Sequence, residues 1–411
     1  MEYLDAGSEV FEDEDVLTTD WTPPEVIGRE DQFKQIGGAI RPVWNGSTPY
    51  NMYGLGKTGV GKTEVIDQVI DDVSEKAADE DIEVTFLKVN AKSLETEYQA
   101  LIRLEEKAAE ECEETGLGEG HSTDRLYEHL FDHIDSIGGI VFVVVDEIDE
   151  MGEDGDRLLY QLSRARSNDD VQNARIAVIF LANDFKYEEQ LSESTIDEVD
   201  PKDIFFPSYN ADELQDILEE RVDLAFRNGN VGGGVVPLAA AMAASDQGNA
   251  RQGIKLLRKA GHAAQDENAD EVTEDHVREA ADTLERERVR EGILGMSSQE
   301  KVVLSAVVYK DYKGELPAKR RLIYDDYESV AEHLDVDALG MESLRRHLKT
   351  LWNNGIVSRQ KGRVSNTGGW RYEWGLAARQ VVVRNALKED DRINDELEQL
   401  IEDAPAARSQ R

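Results

Sequence analysis

The chain has 411 residues and a formal net charge of -41, with 87 Asp and Glu against 46 Lys and Arg. This length allows two or three domains, and the single cysteine, Cys112, excludes an internal disulfide and a zinc site built on cysteines. The longest apolar runs, residues 140–145 and 176–182, are too short to cross a bilayer, and the N-terminal sequence has no basic start followed by an apolar core, so we expect a cytoplasmic protein with no membrane partner.

The N-terminal segment changes character at residue 21. Residues 1–20 are acidic and lack periodicity, which predicts a flexible tail. The sequence WTPPEVIGRE then introduces a Pro-Pro turn and a helix-like run to residue 40. Two interpretations stay open: this segment lies against a bound base, or it is an ordered N-terminal segment with no ligand contact.

A phosphate-binding pattern follows at residues 56–63. The sequence GKTGVGKT fits G-x-x-x-x-G-K-[ST], in which glycines let backbone N–H groups wrap a polyphosphate and the next helix points its N-terminus at the anion. Lys62 is expected to reach the β- and γ-phosphates, and the Thr63 hydroxyl to hold Mg²⁺. The candidate cofactor contacts in this loop are Gly56, Lys57, Thr58, Gly59, Val60, Gly61, Lys62 and Thr63.

Two later strands carry polar residues at their ends. Residues 140–148, IVFVVVDEI, read as a buried parallel strand that ends in Asp146 and Glu147. Asp146 is a candidate metal ligand, and Glu147 a candidate catalytic carboxylate that polarises water. A further strand, residues 175–182, ends in Asn183, which is placed to hydrogen-bond that water and the γ-phosphate. On a predicted helix before the first of these strands, His129 and His133 are expected to be exposed rather than metal-bound.

A helical lid is predicted over residues 209–290. Within it, QGNARQGIKLLRKAG begins with a Gly-Asn turn that caps a helix, and this places Arg251 in the first turn, from where it can reach a γ-phosphate. The alternative for Arg251 is an ordinary surface arginine. Tyr209 and Arg221 are two further candidate nucleotide contacts.

Residues 297–380 form a separate unit of opposite charge. They carry 14 Lys and Arg against 11 Asp and Glu, a net +3 in a chain of net -41. A helix over residues 342–353, with Leu344, Leu348, Leu351 and Trp352 in a core-facing stripe, precedes a basic hairpin. This pattern predicts a winged helix that binds duplex DNA. The candidate DNA contacts are Arg345, Arg346, Lys349, Arg359, Lys361, Arg363 and Arg371.

The excess of acidic residues indicates the salt concentration in which the protein works more than the kind of partner that it binds. The 28 Arg exceed the 18 Lys, and acidic residues are spread over helices and loops, which is typical of a protein that works in molar salt. The alternatives are that the acid attracts a basic partner or mimics nucleic acid.

The chain resembles the archaeal origin-recognition and cell-division-control initiators of the AAA+ class, similar to the largest subunit of the eukaryotic origin recognition complex. The resemblance lies in YGLGKTGVGKT, VVVDEIDEMGEDGDRLLYQLSRA, IFLAND, FFPSYNADEL, QGNARQGIKLLRKAG and the winged helix. It implies an α/β AAA+ (P-loop NTPase) domain with a small helical lid, followed by an α+β winged-helix domain. The expected divisions are a tail (1–20), an AAA+ base (21–208), a lid (209–290), a winged helix (297–380) and a C-terminal helical tail (381–411).

The resemblance also implies a function: ATP-dependent binding of origin duplex DNA, with self-association on DNA and recruitment of the replicative helicase. Its motifs make Asn183 a first sensor and Arg251 a second, both counted as catalytic. No arginine occurs between residues 183 and 206, where many AAA+ proteins carry a finger for the neighbouring site, so we expect weak ATPase activity that converts ATP to ADP as a switch. The alternative function is a nucleotide-regulated transcriptional regulator, and a third is a motor or clamp-loading ATPase.

Overall fold

The structure, a computed structural model, describes residues 10–19, 21–94, 96–245, 248–363, 370–390 and 392–402. Within these ranges the side chains of residues 362, 363, 370, 371, 394 and 395 fall outside the description. The chain divides into two compact units, residues 1–277 and 278–411. Across the described ranges, no helix combines the length and the apolar character needed to span a membrane.

The first unit is built on a five-stranded sheet in the order β2-β3-β4-β1-β5, with every pair parallel. Strand β3 (Ile140–Asp146), the second in this order, is buried along its whole length, and its alternate side chains enter two separate cores on the two faces of the sheet. A β-branched run buried on both faces is the pattern expected of a parallel strand. The strands are β1 (Met52–Leu55), β2 (Val84–Asn90), β3 (Ile140–Asp146), β4 (Arg175–Ala182) and β5 (Lys202–Phe205).

Helices cover both faces of this sheet. Helix α2 begins at Lys62, within the phosphate-binding pattern, and buries Val65, Ile66, Val69 and Val73 at helical spacing; each such side chain contributes about 1.5–3 kcal/mol when fully buried. The helices of the sheet region are α1 (Glu30–Ile40), α2 (Lys62–Asp79), α3 (Glu97–Glu111), α4 (Thr123–Ile137), α5 (Glu153–Arg164) and α6 (Glu193–Val199).

The lid consists of α7 (Ala211–Ala225), α8 (Val235–Ser245) and α9 (Ala250–Asp266). Asn210 and Glu213 form a capping box at the start of α7, and the Asn249 side chain caps α9 by accepting from the Gln252 N–H. Such a cap stabilises a helix by about 1 kcal/mol. The second cap fixes the point where the lid meets the phosphate loop.

The predicted flexible tail over residues 1–20 is wrong for residues 10–19, which pack on the lid. Phe11 pairs with Phe226 in a short bridge, with ring centroids 4.9 Å apart. Glu14 accepts from Arg258 Nε at 2.7 Å, and Val16 and Leu17 are buried. Apolar residues at irregular spacing among the acids anchor this segment, which we call the N-terminal strap. Residues 1–9 and 20 lie outside the described part.

His133 also departs from expectation, because it is buried at 7% exposure instead of exposed. Its ring lies between two carboxylates: Nδ1 is 3.6 Å from Glu105 Oε1, and Nε2 is 3.4 Å from Glu114 Oε2. The helical period alone did not identify α3 as the element packed against this face of α4.

The second unit is a helix-rich fold with a three-stranded antiparallel sheet in the order β6-β8-β7. Its hairpin, β7 with β8, follows helix α13, as predicted for a winged helix. The elements of this part of the chain are α10 (Glu274–Leu294), α11 (Ser298–Tyr312), β6 (Ala318–Lys319), α12 (Arg320–His333), α13 (Met341–Asn353), β7 (Val357–Arg363), β8 (Trp370–Leu376), α14 (Gln380–Leu387) and α15 (Asn394–Glu402).

Both predicted boundaries of this unit differ from the structure. Val289 and Ile293 of α10 belong to its core, although the lid was expected to extend to residue 290. The C-terminal segment, expected as a separate tail from residue 381, is helical but buries Val383 and Leu397 in the same core. The boundaries of this unit are set by packing between residues distant in sequence, and changes in composition along the chain do not show that packing. The fold class itself is confirmed: a parallel α/β domain with a helical lid, then a winged helix.

Candidate functional site

The phosphate loop lies at the carboxyl edge of the sheet, between β1 and α2. Gly59 and Gly61 adopt positive φ values of 77° and 84°, a region open mainly to glycine. A Cβ at Gly59 would overlap Asn249 Oδ1, while the Ala250 N–H donates to the Gly59 carbonyl oxygen at 3.0 Å. The glycines therefore serve both the loop turn and its close approach to the lid.

Lys62 and Asn183 meet at this edge. Lys62 is 5% exposed, and its Nζ donates to Asn183 Oδ1 at 2.7 Å and to the carbonyl oxygens of Gly56 and Lys57 at 2.7 and 3.0 Å. Burial lowers the pKa of Lys62 to about 8, although Asp146 and other nearby carboxylates oppose this. Asn183 is itself held by two bonds of 3.1 Å from its N–H to the Asp149 carboxylate.

Thr63 and Asp146 are in direct contact. Thr63 Oγ1 donates to Asp146 Oδ2 at 2.7 Å, and Asp146 is 1% exposed. A hydroxyl and a carboxylate oxygen side by side are hard donors, which suit Mg²⁺. Glu147 follows with φ of 55°, and burial raises the pKa of its carboxyl, an environment that suits a general base.

Arg251 lies in the first turn of α9 and faces the phosphate loop region. Its Nη2 is 3.5 Å from Glu64 Oε1, on the first turn of α2. The structure thus places the two predicted sensor residues at one site, with Asn183 from the sheet and Arg251 from the lid. Of the remaining loop residues, Lys57 and Thr58 are exposed and Val60 is buried.

A pocket adjoins the phosphate loop between the sheet region and the lid. Tyr209 and Arg221 both line it, so the structure brings them to the same place as Gly59 and Gly61. The guanidinium of Arg221 is engaged on its other side: Nη1 donates to the Val16 carbonyl oxygen at 2.9 Å, and the group lies 3.9 Å from the Trp21 ring centroid. The other lining residues include Pro23, Val26, Ile27, Ile217 and Ile254.

The second candidate site is a groove on the winged helix. It is lined by Arg345 and Lys349 of α13, Arg359 of β7, and Tyr372 and Trp374 of β8, and we call it the cationic groove. Three more cations complete its wall: Lys319, Arg320 and Arg321. Sequence reasoning missed these three, although the run PAKRR at the start of a helix was a visible signal.

The structure does not place the other predicted DNA contacts in the lining of the cationic groove. Arg346 and Lys361 are exposed outside the lining of the cationic groove, and the side chains of Arg363 and Arg371 lie outside the described residues. The prediction that Trp352 faces the core is wrong. It is 37% exposed, because Leu344, Leu348 and Leu351 already fill the buried stripe of α13.

Comparison with known proteins identifies the family of this chain. Residues 47–191 match the profile of the AAA domain, residues 215–282 that of the Cdc6 AAA+ ATPase-type lid domain, and residues 291–386 that of the CDC6 C-terminal winged helix domain. ORC1-type DNA replication protein 11 of Haloarcula marismortui is 37% identical over 389 residues, covering 94% of this chain and 93% of the relative. This chain belongs to the ORC1-type DNA replication protein family. A second ORC1-type relative, protein 10 of Halobacterium salinarum, is 34% identical over 90% of both chains.

The fold of this ORC1-type chain is also similar to a solved structure. The Aeropyrum pernix ORC1 protein, solved in complex with DNA, matches with a TM-score of 0.78 and 29% identity over 93% of this chain and 98% of that one. The resemblance inferred from the sequence motifs is therefore confirmed, and the haloarchaeal relatives confirm the archaeal and halophilic assignment. Membership of the AAA+ ATPases implies nucleotide binding.

One residue of the ORC1-type site escaped sequence reasoning altogether. Arg29 is 1% exposed and ties three segments together: Nε donates to the Val60 carbonyl oxygen at 2.9 Å, Nη2 donates to Pro207 O at 2.8 Å, and the guanidinium lies 3.6 Å from the Tyr209 ring centroid. Burial raises the pKa of Tyr209 to about 12, so its hydroxyl stays protonated beside the loop. No local pattern marks such a residue, because its partners are distant in sequence.

We expect Arg29→Ala to lower the free energy of unfolding by about 3 kcal/mol, since three hydrogen bonds from a charged donor are lost and their buried or partly buried acceptors lose that donor. Urea unfolding in molar KCl measures the change. Arg41→Ala, which removes an exposed arginine from the end of α1, is the matched control. Equal losses for the two variants would contradict this role of Arg29.

Proposed function

We propose that this chain binds ATP and Mg²⁺ at the phosphate loop and the adjoining pocket. The support is the contact between Thr63 and Asp146 together with that between Lys62 and Asn183. In this proposal Lys62 binds the β- and γ-phosphates, while Thr63 and Asp146 hold the metal. The metal would neutralise charge on the phosphate oxygens. The pocket beside Tyr209 and Arg221 would take the base, with residues 23–27 against it.

Hydrolysis to ADP is proposed to be slow and to act as a switch. Glu147 would polarise the attacking water. Asn183 and Arg251 would contact the γ-phosphate. The nearest arginine before residue 183 on a helix of the sheet region is Arg164, at the end of α5; it donates to the Tyr160 hydroxyl at 2.5 Å and its Nε lies 4.0 Å from Glu198 Oε2. That arrangement supports low turnover by the chain alone.

The variant Glu147→Gln is expected to bind nucleotide within about twofold of the parent and to lose hydrolysis by about 100-fold or more, because the amide cannot accept a proton from water. Phosphate release in single-turnover reactions gives the rate, and titration with a fluorescent nucleotide gives the affinity. Glu150→Gln, three residues away and exposed, should change neither quantity. A Glu147→Gln protein that hydrolyses ATP at the parent rate would remove Glu147 from this role.

We infer further that the chain is a replication initiator, which binds duplex DNA at origins, self-associates there and helps recruit the replicative helicase. The observation that carries the DNA part is the cationic groove: six cations line one face of a winged helix in a chain of net charge -41. Such a concentration of positive charge fits a polyanion partner. The similarity to the Aeropyrum pernix ORC1 protein solved with DNA supports the same conclusion.

Mapping the chromosomal sites bound by the chain in its own cells tests this function. We expect the bound sites to cluster beside the points where replication starts, measured by marker frequency in the same culture. Sites scattered over promoters, with none at replication start points, would instead support the nucleotide-regulated transcriptional regulator.

A further inference from the structure

Three aromatic rings surround one arginine at the edge of the cationic groove. The guanidinium carbon of Arg359 lies 3.8 Å from the ring centroid of Trp352, 4.3 Å from that of Tyr372 and 5.8 Å from that of Trp374. Trp352 comes from the end of α13, and the other two come from β8. The rings therefore hold the arginine from both the helix and the hairpin.

Two of the three rings are exposed to solvent. Trp352 is 37% and Tyr372 is 44% exposed, whereas Trp374 is buried at 5%. Tyr and Trp are enriched at interfaces, because their rings combine a large apolar surface with a polar group. Both Trp352 and Tyr372 lie against the Arg359 guanidinium.

Arg359 also differs from the neighbouring cations in its pairing. Arg345 is 2.6 Å from Glu342 on its own helix, and DNA must compete with that carboxylate. Arg359, by contrast, has no carboxylate partner within the described residues, and its guanidinium lies against the rings. Its positive charge therefore remains available to a ligand while its orientation is restricted.

We propose that Trp352 and Tyr372 are positioning residues that hold the Arg359 guanidinium in an orientation ready to contact duplex DNA. This inference rests on the proposed DNA-binding function. A held guanidinium loses less conformational freedom on binding than a flexible side chain. In molar salt the screening length is about 3 Å, so long-range phosphate attraction is weak and short, pre-oriented contacts carry more of the affinity.

A double-mutant cycle tests the proposal. The variants are Trp352→Leu, which keeps apolar bulk without a π face, Arg359→Ala, and the two combined; Trp352→Phe keeps the ring. The probe is a labelled duplex selected by the full chain from a pool of random short duplexes in molar KCl. Thermal unfolding of each variant checks that the fold is kept.

Arg359→Ala is expected to weaken binding by about 10-fold, and Trp352→Leu by about fivefold, with Trp352→Phe close to the parent. In the Arg359→Ala background, Trp352→Leu should have no further effect, because Trp352 acts through the arginine. The same relation is expected for Tyr372→Leu with Tyr372→Phe as its control.

Two outcomes would overturn the proposal. A fivefold loss from Trp352→Leu in both backgrounds would mean that the ring contacts DNA directly, and no loss in either would mean that it positions nothing. Failure of the parent chain to select or bind any duplex is a different result, because it refutes the proposed DNA-binding function itself.

Discussion

Lys62→Ala is expected to weaken ATP binding by about 100-fold or more. Lys62 is a buried cation of the phosphate loop, and a charge-assisted hydrogen bond contributes about 1.5–3 kcal/mol, so the loss of contacts to two phosphates accounts for this change. The substitution also leaves Asn183 Oδ1 and the Gly56 carbonyl oxygen without their present donor. Titration of the full chain with a fluorescent ATP analogue measures the effect.

The matched control for this variant is Lys34→Ala. Lys34 is a lysine on α1 whose side chain is 78% exposed and pairs only loosely with Asp31 at 3.6 Å. Its removal should leave nucleotide affinity unchanged. If Lys62→Ala bound ATP as tightly as the Lys34 variant, the phosphate loop would not be the nucleotide site.

The second large effect is expected from the triple replacement of Lys319, Arg320 and Arg321 by alanine. Duplex affinity should fall by about 100-fold at low salt and much less in molar KCl, because these cations act mainly by releasing counterions from DNA. The slope of log K against log salt should shrink by about 0.9 for each cation that neutralises a phosphate. Fluorescence anisotropy across a KCl series gives both quantities.

An exposed arginine outside the cationic groove controls for the loss of charge. Arg286→Ala removes a 61% exposed side chain that pairs with Asp282 on α10. Its effect on affinity and on the salt slope should be small. A triple variant that behaves like Arg286→Ala would show that the start of α12 does not face DNA.

The grouping of the phosphate loop with Asp146 and Asn183 could be predicted from the sequence because these residues lie at or next to the ends of recognisable strands. Asp146 is the last residue of β3, Asn183 follows β4 and the phosphate loop follows β1, and these three strands are neighbours in the sheet. Parallel strands bring their carboxyl ends to one edge, so sequence order was enough to assemble the site.

Contacts between distant segments could not be predicted in the same way. Arg29 meets Val60 and Pro207 across 31 and 178 residues. The N-terminal strap was misread because its anchoring residues, such as Phe11 and Val16, follow no helical or strand period. Trp352 fitted the helical period of α13, but the period does not give the width of the buried face.

We propose that nucleotide bound at the phosphate loop controls the binding of DNA by the winged helix. The most direct test of this claim is the affinity of the full chain for one selected duplex in molar KCl, measured with ATP and Mg²⁺, with ADP and Mg²⁺, and without nucleotide. We predict different affinities with ATP and with ADP, and loss of that difference in Lys62→Ala. Equal affinities under all three conditions, for a parent chain shown to bind both nucleotides, would contradict the claim.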